Sequence, residues 1–204
     1  MDFFSFIAPA YDWLIPIADL KTLGRHLKLP CDGLLLDLGG GTGRVSAHFR
    51  GDVQGEVLVD SSFAMARRVR REQRVWAVVA DGAHLPFRPA VFARALVVDA
   101  FHHFRQQEMV MAELARALKV GGRLVIEEPD IEKALVRCVA LGEKLLGMGS
   151  RFLPAARLAQ LMASQYFMVD VDQGRSFAVW VVGERLLEQP ASPLLSGCAK
   201  LSQL

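Results

Sequence analysis

The sequence has little cysteine, almost no net charge and no long uncharged apolar run. Its three cysteines show no Cys-x-x-Cys pair and no histidine at metal-ligand spacing. A disulfide framework or a zinc site is therefore not predicted, and a reducing cytoplasm is the expected compartment. Basic residues exceed acidic ones by only 24 to 22, which is too balanced to predict a nucleic-acid partner.

Membrane and secretory segments are not predicted either. A membrane-spanning helix needs about 18 or more consecutive apolar residues, and the sequence has no such stretch free of charge. The first residues carry Asp2 rather than a basic cluster, so they lack the layout of a secretory signal. We expect one domain over residues 1–188, followed by a loosely held tail at 189–204.

Short apolar runs alternate with helical patterns over the first part of the chain. The runs are continuous, which is typical of parallel strands covered on both faces. Five strands are predicted, at residues 34–38, 56–60, 75–80, 95–99 and 123–126. The alternation of strands and helices predicts an α/β fold with right-handed crossovers between parallel strands.

The pattern changes after Pro129. Helices are predicted over residues 131–146 and 154–164, and two final strands over 167–171 and 177–182. The glycine between these strands predicts an antiparallel C-terminal hairpin. The expected sheet therefore has seven strands and is mostly parallel.

A glycine-rich segment follows the first predicted strand. It reads Asp37-Leu38-Gly39-Gly40-Gly41-Thr42-Gly43-Arg44 and is expected to open a helix. Glycines let a backbone turn sharply and approach a ligand without an intervening Cβ. Free N–H groups at a helix start favour polar or anionic ligand atoms.

The spacing of the glycines narrows the class of ligand. A dinucleotide-binding loop reads G-x-G-x-x-G, but the third glycine is replaced by Arg44 in one register and by Ser46 in the other. The Gly-Lys-Ser/Thr ending of a Walker A loop is also missing. The pattern that remains, Asp37-x-Gly39-x-Gly41-x-Gly43, resembles motif I of the class I S-adenosylmethionine-dependent methyltransferases.

The resemblance covers roughly residues 30–130 and is strongest to the quinone-biosynthesis C-methyltransferases, the methyltransferase type 11 subgroup. Further segments match in the right order: Asp60-Ser61-Ser62-Phe63-Ala64-Met65, Asp81-Gly82-Ala83-His84-Leu85-Pro86-Phe87, Asp99-Ala100-Phe101-His102-His103-Phe104, and Gly121-Gly122-Arg123-Leu124. Two departures stand out, since Phe92 is followed by alanine and the last strand lacks the subgroup's histidine. The resemblance therefore does not extend to quinone specificity.

The resemblance implies a Rossmann-like three-layer sandwich that binds S-adenosyl-L-methionine. Asp60 would accept hydrogen bonds from the ribose hydroxyls, as a carboxylate can from a vicinal diol. Asp81 would receive the adenine amino group. The implied cofactor-binding residues are Asp37, Gly39, Gly40, Gly41, Gly43, Asp60, Ser61, Asp81, Gly82 and Asp99.

Residues for the methyl acceptor follow less directly. His102 and His103 are candidate catalytic bases, although either could instead pack or cap the next helix. Glu128 is a candidate for orienting substrate. Tyr11 lies in a segment similar to the subgroup's N-terminal lid, and it could equally be a core residue.

The expected organisation is lid helices at residues 1–28, a cofactor-binding core at 30–128 and substrate-lid helices at 130–165. The expected activity is in-line methyl transfer to a small, hydrophobic molecule, with no metal and with a monomer or homodimer as the working form. A non-catalytic S-adenosylmethionine-binding module and a nicotinamide-dependent oxidoreductase stay open as alternatives.

Overall fold

Runs of Leu, Val and Ile form the strands in a computed structural model of the chain. The structure describes residues 19–69, 75–145, 149–173 and 177–186, without the side chains of 139 and 142–145. Within these ranges the strands are β1 (Leu34–Leu38), β2 (Gly55–Asp60), β3 (Val75–Val79), β4 (Phe92–Val98), β5 (Leu118–Pro129), β6 (Phe167–Gln173) and β7 (Ala178–Arg185).

The seven strands form one sheet in the order β3-β2-β1-β4-β5-β7-β6. The first five in this order pair in parallel, whereas β7 runs antiparallel to both β5 and β6. The predicted mostly parallel seven-stranded sheet with an antiparallel C-terminal hairpin is therefore confirmed. The strand order reverses between β2 and β4 beside β1, and such a switch point creates a crevice at the carboxyl ends of the strands.

Helices pack on both faces of the sheet. Those in the described ranges are α1 (Leu20–His26), α2 (Phe63–Ala66), α3 (Gln107–Ala117), α4 (Ala134–Leu145) and α5 (Ala155–Ala163), with 3-10 helices at Ser46–Phe49 and Phe101–His103. On one face α3 and α5 cover a core that includes Phe92 and Met111. On the other face, α1 and the first 3-10 helix cover a smaller core around Leu96.

The segment after the glycine loop is not the helix that the sequence predicted. Only a four-residue 3-10 helix, Ser46–Phe49, forms there. The glycine loop and a turn at Gly51, where φ is 97°, use most of the connection between β1 and β2. The residues between them, 44–50, leave room for no more than a short helix.

The expectation that each strand is covered on both faces is wrong for β3. This strand lies at the edge of the sheet, and Trp76 is 60% exposed. The short helix α2 spans only four residues and cannot cover it. The strand β5 begins at Leu118, five residues before its predicted start at residue 123.

Candidate cofactor and acceptor site

The loop after β1 is bent by glycines in the left-handed region. Gly39, Gly41 and Gly43 have φ of 75°, 57° and 77°, values that L side chains rarely adopt. A Cβ on Gly39 would lie 2.6 Å from the Cβ of Ala100. Glycine is therefore needed at position 39 both for the backbone conformation and for packing against the segment that follows β4.

Asp37 lies directly behind this loop and is almost completely buried. A Cβ on Gly40 would lie 2.5 Å from Oδ2 of Asp37, and that oxygen has no hydrogen-bond partner among the described residues. Burial raises the pKa of Asp37 to about 7, and repulsion from the Asp60 carboxylate contributes. The carboxyl group is therefore partly protonated near neutral pH, immediately under the glycine loop.

Asp60 ends β2 and joins the glycine loop to the next helix. Its Oδ2 accepts a hydrogen bond from the Gly41 N–H at 2.9 Å, and its Oδ1 accepts one from the Ser62 N–H at 2.7 Å. Ser62 also caps α2, because its Oγ accepts from the Met65 N–H, while Ser61 is exposed. The structure thus brings Asp60 together with the loop predicted to hold the cofactor.

Asp81 and Gly82 lie in the irregular segment between β3 and β4. The Asp81 side chain is 66% exposed, and its Oδ1 accepts a hydrogen bond from the Ala83 N–H at 2.9 Å. A Cβ on Gly82 would lie 3.3 Å from Cε1 of Phe104 and 3.4 Å from Cδ1 of Leu38. The segment therefore packs beside the end of β1, and the Asp81 carboxylate faces outward.

Asp99 directly follows β4 with a φ of 50°, and its N–H donates to the Glu127 carbonyl at 2.9 Å. The Glu127 side chain on the neighbouring strand accepts from Nε1 of Trp180 at 3.0 Å. Burial raises the pKa of Glu127, and the Asp99 carboxylate adds to the rise. A second group of carboxylates therefore gathers at the same edge of the sheet.

Glu128 holds the segment after β4 in place. Its carboxylate accepts from the N–H groups of Ala100, Phe101 and His102 at 3.1, 2.8 and 3.2 Å. It also lies 2.7 Å from Nδ1 of His102, whose side chain is 2% exposed. Glu128 and His102 thus form a buried pair that organises the backbone, and Glu128 is not turned toward an open acceptor site.

A strap, residues 149–153, crosses the two histidines. The Phe152 ring stacks on His102 with centroids 4.1 Å apart, and the Arg151 N–H donates to the His102 carbonyl at 2.7 Å. Ser150 Oγ lies 3.2 Å from Nδ1 of His103. Burial, together with repulsion by His102, lowers the pKa of His103 to about 3. His103 is therefore neutral at physiological pH.

Several of these contacts have no signal in the sequence. Phe152 and His102 are distant in the chain, and no local pattern links them. The spacing of Glu113 and Arg116 on α3 is visible as an i,i+3 pair, but the loop that they hold is not. Tyr11 lies outside the described residues. Within the described ranges no group of three or more His, Cys, Asp or Glu side chains is arranged to bind a metal ion.

The part of the chain that carries the glycine loop matches a known family. Residues 36–126 match a family model described as a methyltransferase domain. The resemblance to class I methyltransferases predicted from the motifs is therefore confirmed, and the matched residues run from the middle of β1 through β4 into β5.

Individual relatives agree with this class. Demethylmenaquinone methyltransferase of Thermus thermophilus is 34% identical over 139 residues, which cover 61% of this chain and 63% of that protein. The matched stretch thus spans less than two thirds of that protein, and a second such enzyme, from Thermobifida fusca, is covered over 43% of its length.

Solved structures share the fold at low sequence identity. Geranyl diphosphate C-methyltransferase of Streptomyces coelicolor superimposes with a TM-score of 0.68 at 15% identity, covering 82% of this chain and 76% of that one. The [4+2]-cyclase SpnF superimposes with a TM-score of 0.75 at 15% identity, covering 90% and 94%. Chains whose names give different activities thus share this fold, so activity has to be argued from the site.

Proposed function

We propose that the chain binds S-adenosylmethionine at the carboxyl ends of β1 to β4 and transfers its methyl group to a small molecule. The observation that carries the proposal is the bond between the Gly41 N–H and the Asp60 carboxylate. It fixes a loop bent by left-handed glycines against the acidic end of the next strand. This arrangement places the glycine loop and the Asp60 carboxylate side by side at one end of the sheet, where a single ligand could contact both.

The charge of the site suits this cofactor. Asp37 and Asp60 lie close enough to repel each other, and so do Glu127 and Asp99. A positively charged ligand relieves such repulsion, because opposite charges stabilise the ionised carboxylates. S-adenosylmethionine carries a sulfonium and an ammonium group, whereas the phosphates of a nicotinamide dinucleotide would add to the repulsion.

Each binding residue has a distinct part. The glycine loop would lie along the amino-acid portion with Asp37 behind it, Asp60 would accept hydrogen bonds from the ribose hydroxyls, and Asp81 would bind the adenine amino group. When bound, S-adenosylmethionine supplies a methyl group already activated for in-line displacement. The protein's contribution is to orient the acceptor and exclude water.

For the acceptor, His103 is a better candidate than His102. His102 is buried between Glu128 and Phe152, whereas His103 is less buried and bonds to Ser150. Its pKa of about 3 makes His103 a weak proton acceptor, so it would orient the acceptor by a hydrogen bond. With no strong base at His103, an acceptor that is already an anion, or that releases its proton to water, fits such a site.

Binding and turnover test the proposal separately. Calorimetry with S-adenosylhomocysteine and with NADH should show at least about tenfold tighter binding of the former. Incubation with S-adenosylmethionine and a panel of quinols, phenols and isoprenoid lipids should release S-adenosylhomocysteine. Tighter binding of NADH would overturn the cofactor assignment.

A second candidate, a non-catalytic S-adenosylmethionine-binding module, is favoured by the burial of His102 beneath the strap. It predicts tight binding of S-adenosylhomocysteine without turnover of any acceptor. The cofactor assignment would survive that result, but the assignment of methyl transfer would not.

The oligomeric state is tested separately. Sedimentation of the same sample distinguishes a monomer from a homodimer.

A further inference from the structure

The segment predicted to recognise adenine has few constraints of its own. Residues 80–91 contain no regular strand or helix, so their backbone N–H and carbonyl groups need partners elsewhere. The Asp81 carboxylate forms a local turn with the Ala83 N–H and is otherwise largely exposed. Within the segment, Asp81 also pairs with Nδ1 of His84 at 3.6 Å, an exposed contact that leaves most of the segment's backbone to be held from outside.

Two side chains of α3 supply the missing partners. Glu113 Oε2 accepts a hydrogen bond from the Leu85 N–H at 2.8 Å. Arg116 donates from Nη1 to the Phe87 carbonyl at 2.7 Å and from Nη2 to the Leu85 carbonyl at 3.2 Å. Two side chains from a regular helix thus hold three backbone groups of the irregular segment.

Glu113 and Arg116 also hold each other. Arg116 Nε donates to Glu113 Oε1 at 2.6 Å and Nη2 donates to Oε2 at 2.7 Å, a two-pronged pair. Burial opposes ionisation, but the bonds from Arg116 and from the Leu85 N–H outweigh it and lower the pKa of Glu113. Bidentate charge-assisted pairs of this kind fix geometry better than single bonds.

We propose that Glu113 and Arg116 are positioning residues for adenine recognition. This inference rests on the proposed function. By fixing Leu85 and Phe87, the pair sets the direction in which the chain leaves Asp81 and Gly82. The far end of the segment is tied to the same helix, since the Ala90 and Val91 N–H groups donate to the carbonyls of residues 116 and 117. Neither side chain needs to touch the ligand.

The test compares two ligands that differ at the adenine amino group and at the neighbouring N1, which accepts a hydrogen bond in adenine and carries a proton in the oxygen analogue. S-adenosylhomocysteine has that group, and S-inosylhomocysteine carries an oxygen in its place. The wild type should prefer the adenosyl compound, because an unpaired Asp81 would face the oxygen of the other. Glu113→Gln removes the charge and one prong of the pair, and should weaken binding of the adenosyl compound by about 5- to 50-fold.

The ratio of the two dissociation constants is the decisive readout. In Glu113→Gln it should fall toward one, because binding of S-inosylhomocysteine changes little. Arg116→Lys keeps the charge but loses the planar fork, so its ratio should lie between those of the wild type and Glu113→Gln. Glu108→Gln is the matched control, since Glu108 is exposed on the same helix.

The possible failures are distinguishable. A purely structural role would lower the unfolding temperature and weaken both ligands equally; an unchanged ratio in folded Glu113→Gln would therefore overturn the inference alone. If the wild type binds S-adenosylhomocysteine without preference over S-inosylhomocysteine, the inference is likewise overturned. Failure of the wild type to bind either ligand would overturn the proposed function and the inference with it.

Discussion

The two halves of the sheet's carboxyl edge are built differently. At the ends of β1 and β2, glycines bend the loop and the Asp60 carboxylate bonds two backbone N–H groups near its own strand. At the ends of β4 and β5, Glu128 bonds three N–H groups and a histidine beneath the strap. The first half depends on backbone shape, and the second on side chains from distant parts of the chain.

The difference explains why cofactor residues are easier to recognise than acceptor residues. Backbone shape constrains the sequence locally, because only glycine tolerates a left-handed conformation with no room for a Cβ. Packed side chains can be exchanged together when volume and polarity are kept. The first half is therefore constrained mainly by local backbone conformation, whereas the second half is constrained by contacts between residues that are distant in the chain.

Gly39→Ala is expected to have the largest effect, because it disturbs the bend of the glycine loop in the first half. The new Cβ would lie 2.6 Å from the Cβ of Ala100 at a φ of 75°. We expect the free energy of unfolding to fall by about 2–4 kcal/mol, and binding of S-adenosylhomocysteine to weaken by more than about 100-fold, or about 3 kcal/mol. Chemical denaturation and calorimetry measure the two.

Gly121→Ala is the matched control for that substitution. Gly121 has a φ of 74°, almost the same as Gly39, but no atom of the described residues lies within 4 Å of the point that its Cβ would occupy. It should cost only about 1 kcal/mol of backbone strain and leave binding unchanged. Equal losses in both variants would mean that the close approach to Ala100 contributes nothing.

Glu128→Gln disrupts the hydrogen bonds that organise the second half. The amide can accept with only one oxygen, so at least one of the N–H groups of residues 100–102 loses its acceptor in a buried position. We expect the free energy of unfolding to fall by about 2–4 kcal/mol. The dissociation constant of S-adenosylhomocysteine should change less than in Asp60→Ala, and a larger change would erase the distinction between the halves.

The accuracy of prediction from the sequence also differs between local features and long-range contacts. The predicted strand ends agree with the structure within three residues, except at the start of β5, because buried apolar runs of Leu and Val leave little choice. The hairpin of β6 and β7 followed from a glycine between two apolar runs. The exposure of Trp76 could not be predicted, because edge position depends on sheet order and not on local sequence.

In the site, prediction was limited by long-range contacts. The motifs predict that Asp60 and the glycine loop serve one site, but they do not predict the hydrogen bond between Asp60 and the Gly41 N–H. The stacking of Phe152 on His102 joins residues that no periodicity connects. The partners of Glu113 and Arg116 also depend on how a loop folds back onto α3. Such contacts follow from the tertiary structure, and the cofactor and acceptor roles stay predictions until they are measured.

Asp60→Ala tests the contribution of the first half to cofactor binding. Loss of charge-assisted hydrogen bonds to the ribose, and of the bond to the Gly41 N–H, should weaken binding of S-adenosylhomocysteine by about 1–3 kcal/mol. Asp60→Asn, which keeps one acceptor oxygen, should lose less. If calorimetry finds the wild-type dissociation constant in Asp60→Ala, Asp60 does not hold the ribose.

The smallest effect concerns a buried carboxyl group beneath the first half. Both oxygens of Glu56 on β2 are buried with no hydrogen-bond partner among the described residues. Burial raises the pKa of Glu56 to about 7, and repulsion from Asp37 contributes. The folded state therefore holds a proton that the unfolded state releases near pH 4.5. Stability must fall as the pH rises between these values, and the full cost is present above pH 7.

Glu56→Gln removes this proton and its pH dependence. The wild type should have a lower unfolding free energy at pH 8 than at pH 5.5, and therefore a lower unfolding temperature. In the variant this difference in unfolding free energy should be smaller by about 1–2 kcal/mol. Asp37, whose pKa is also about 7, keeps part of the dependence in the variant. Exposed Glu108→Gln should match the wild type at both pH values. If the Glu56 variant also matched it, the pH dependence of stability beneath the glycine loop would have to be assigned to Asp37 alone.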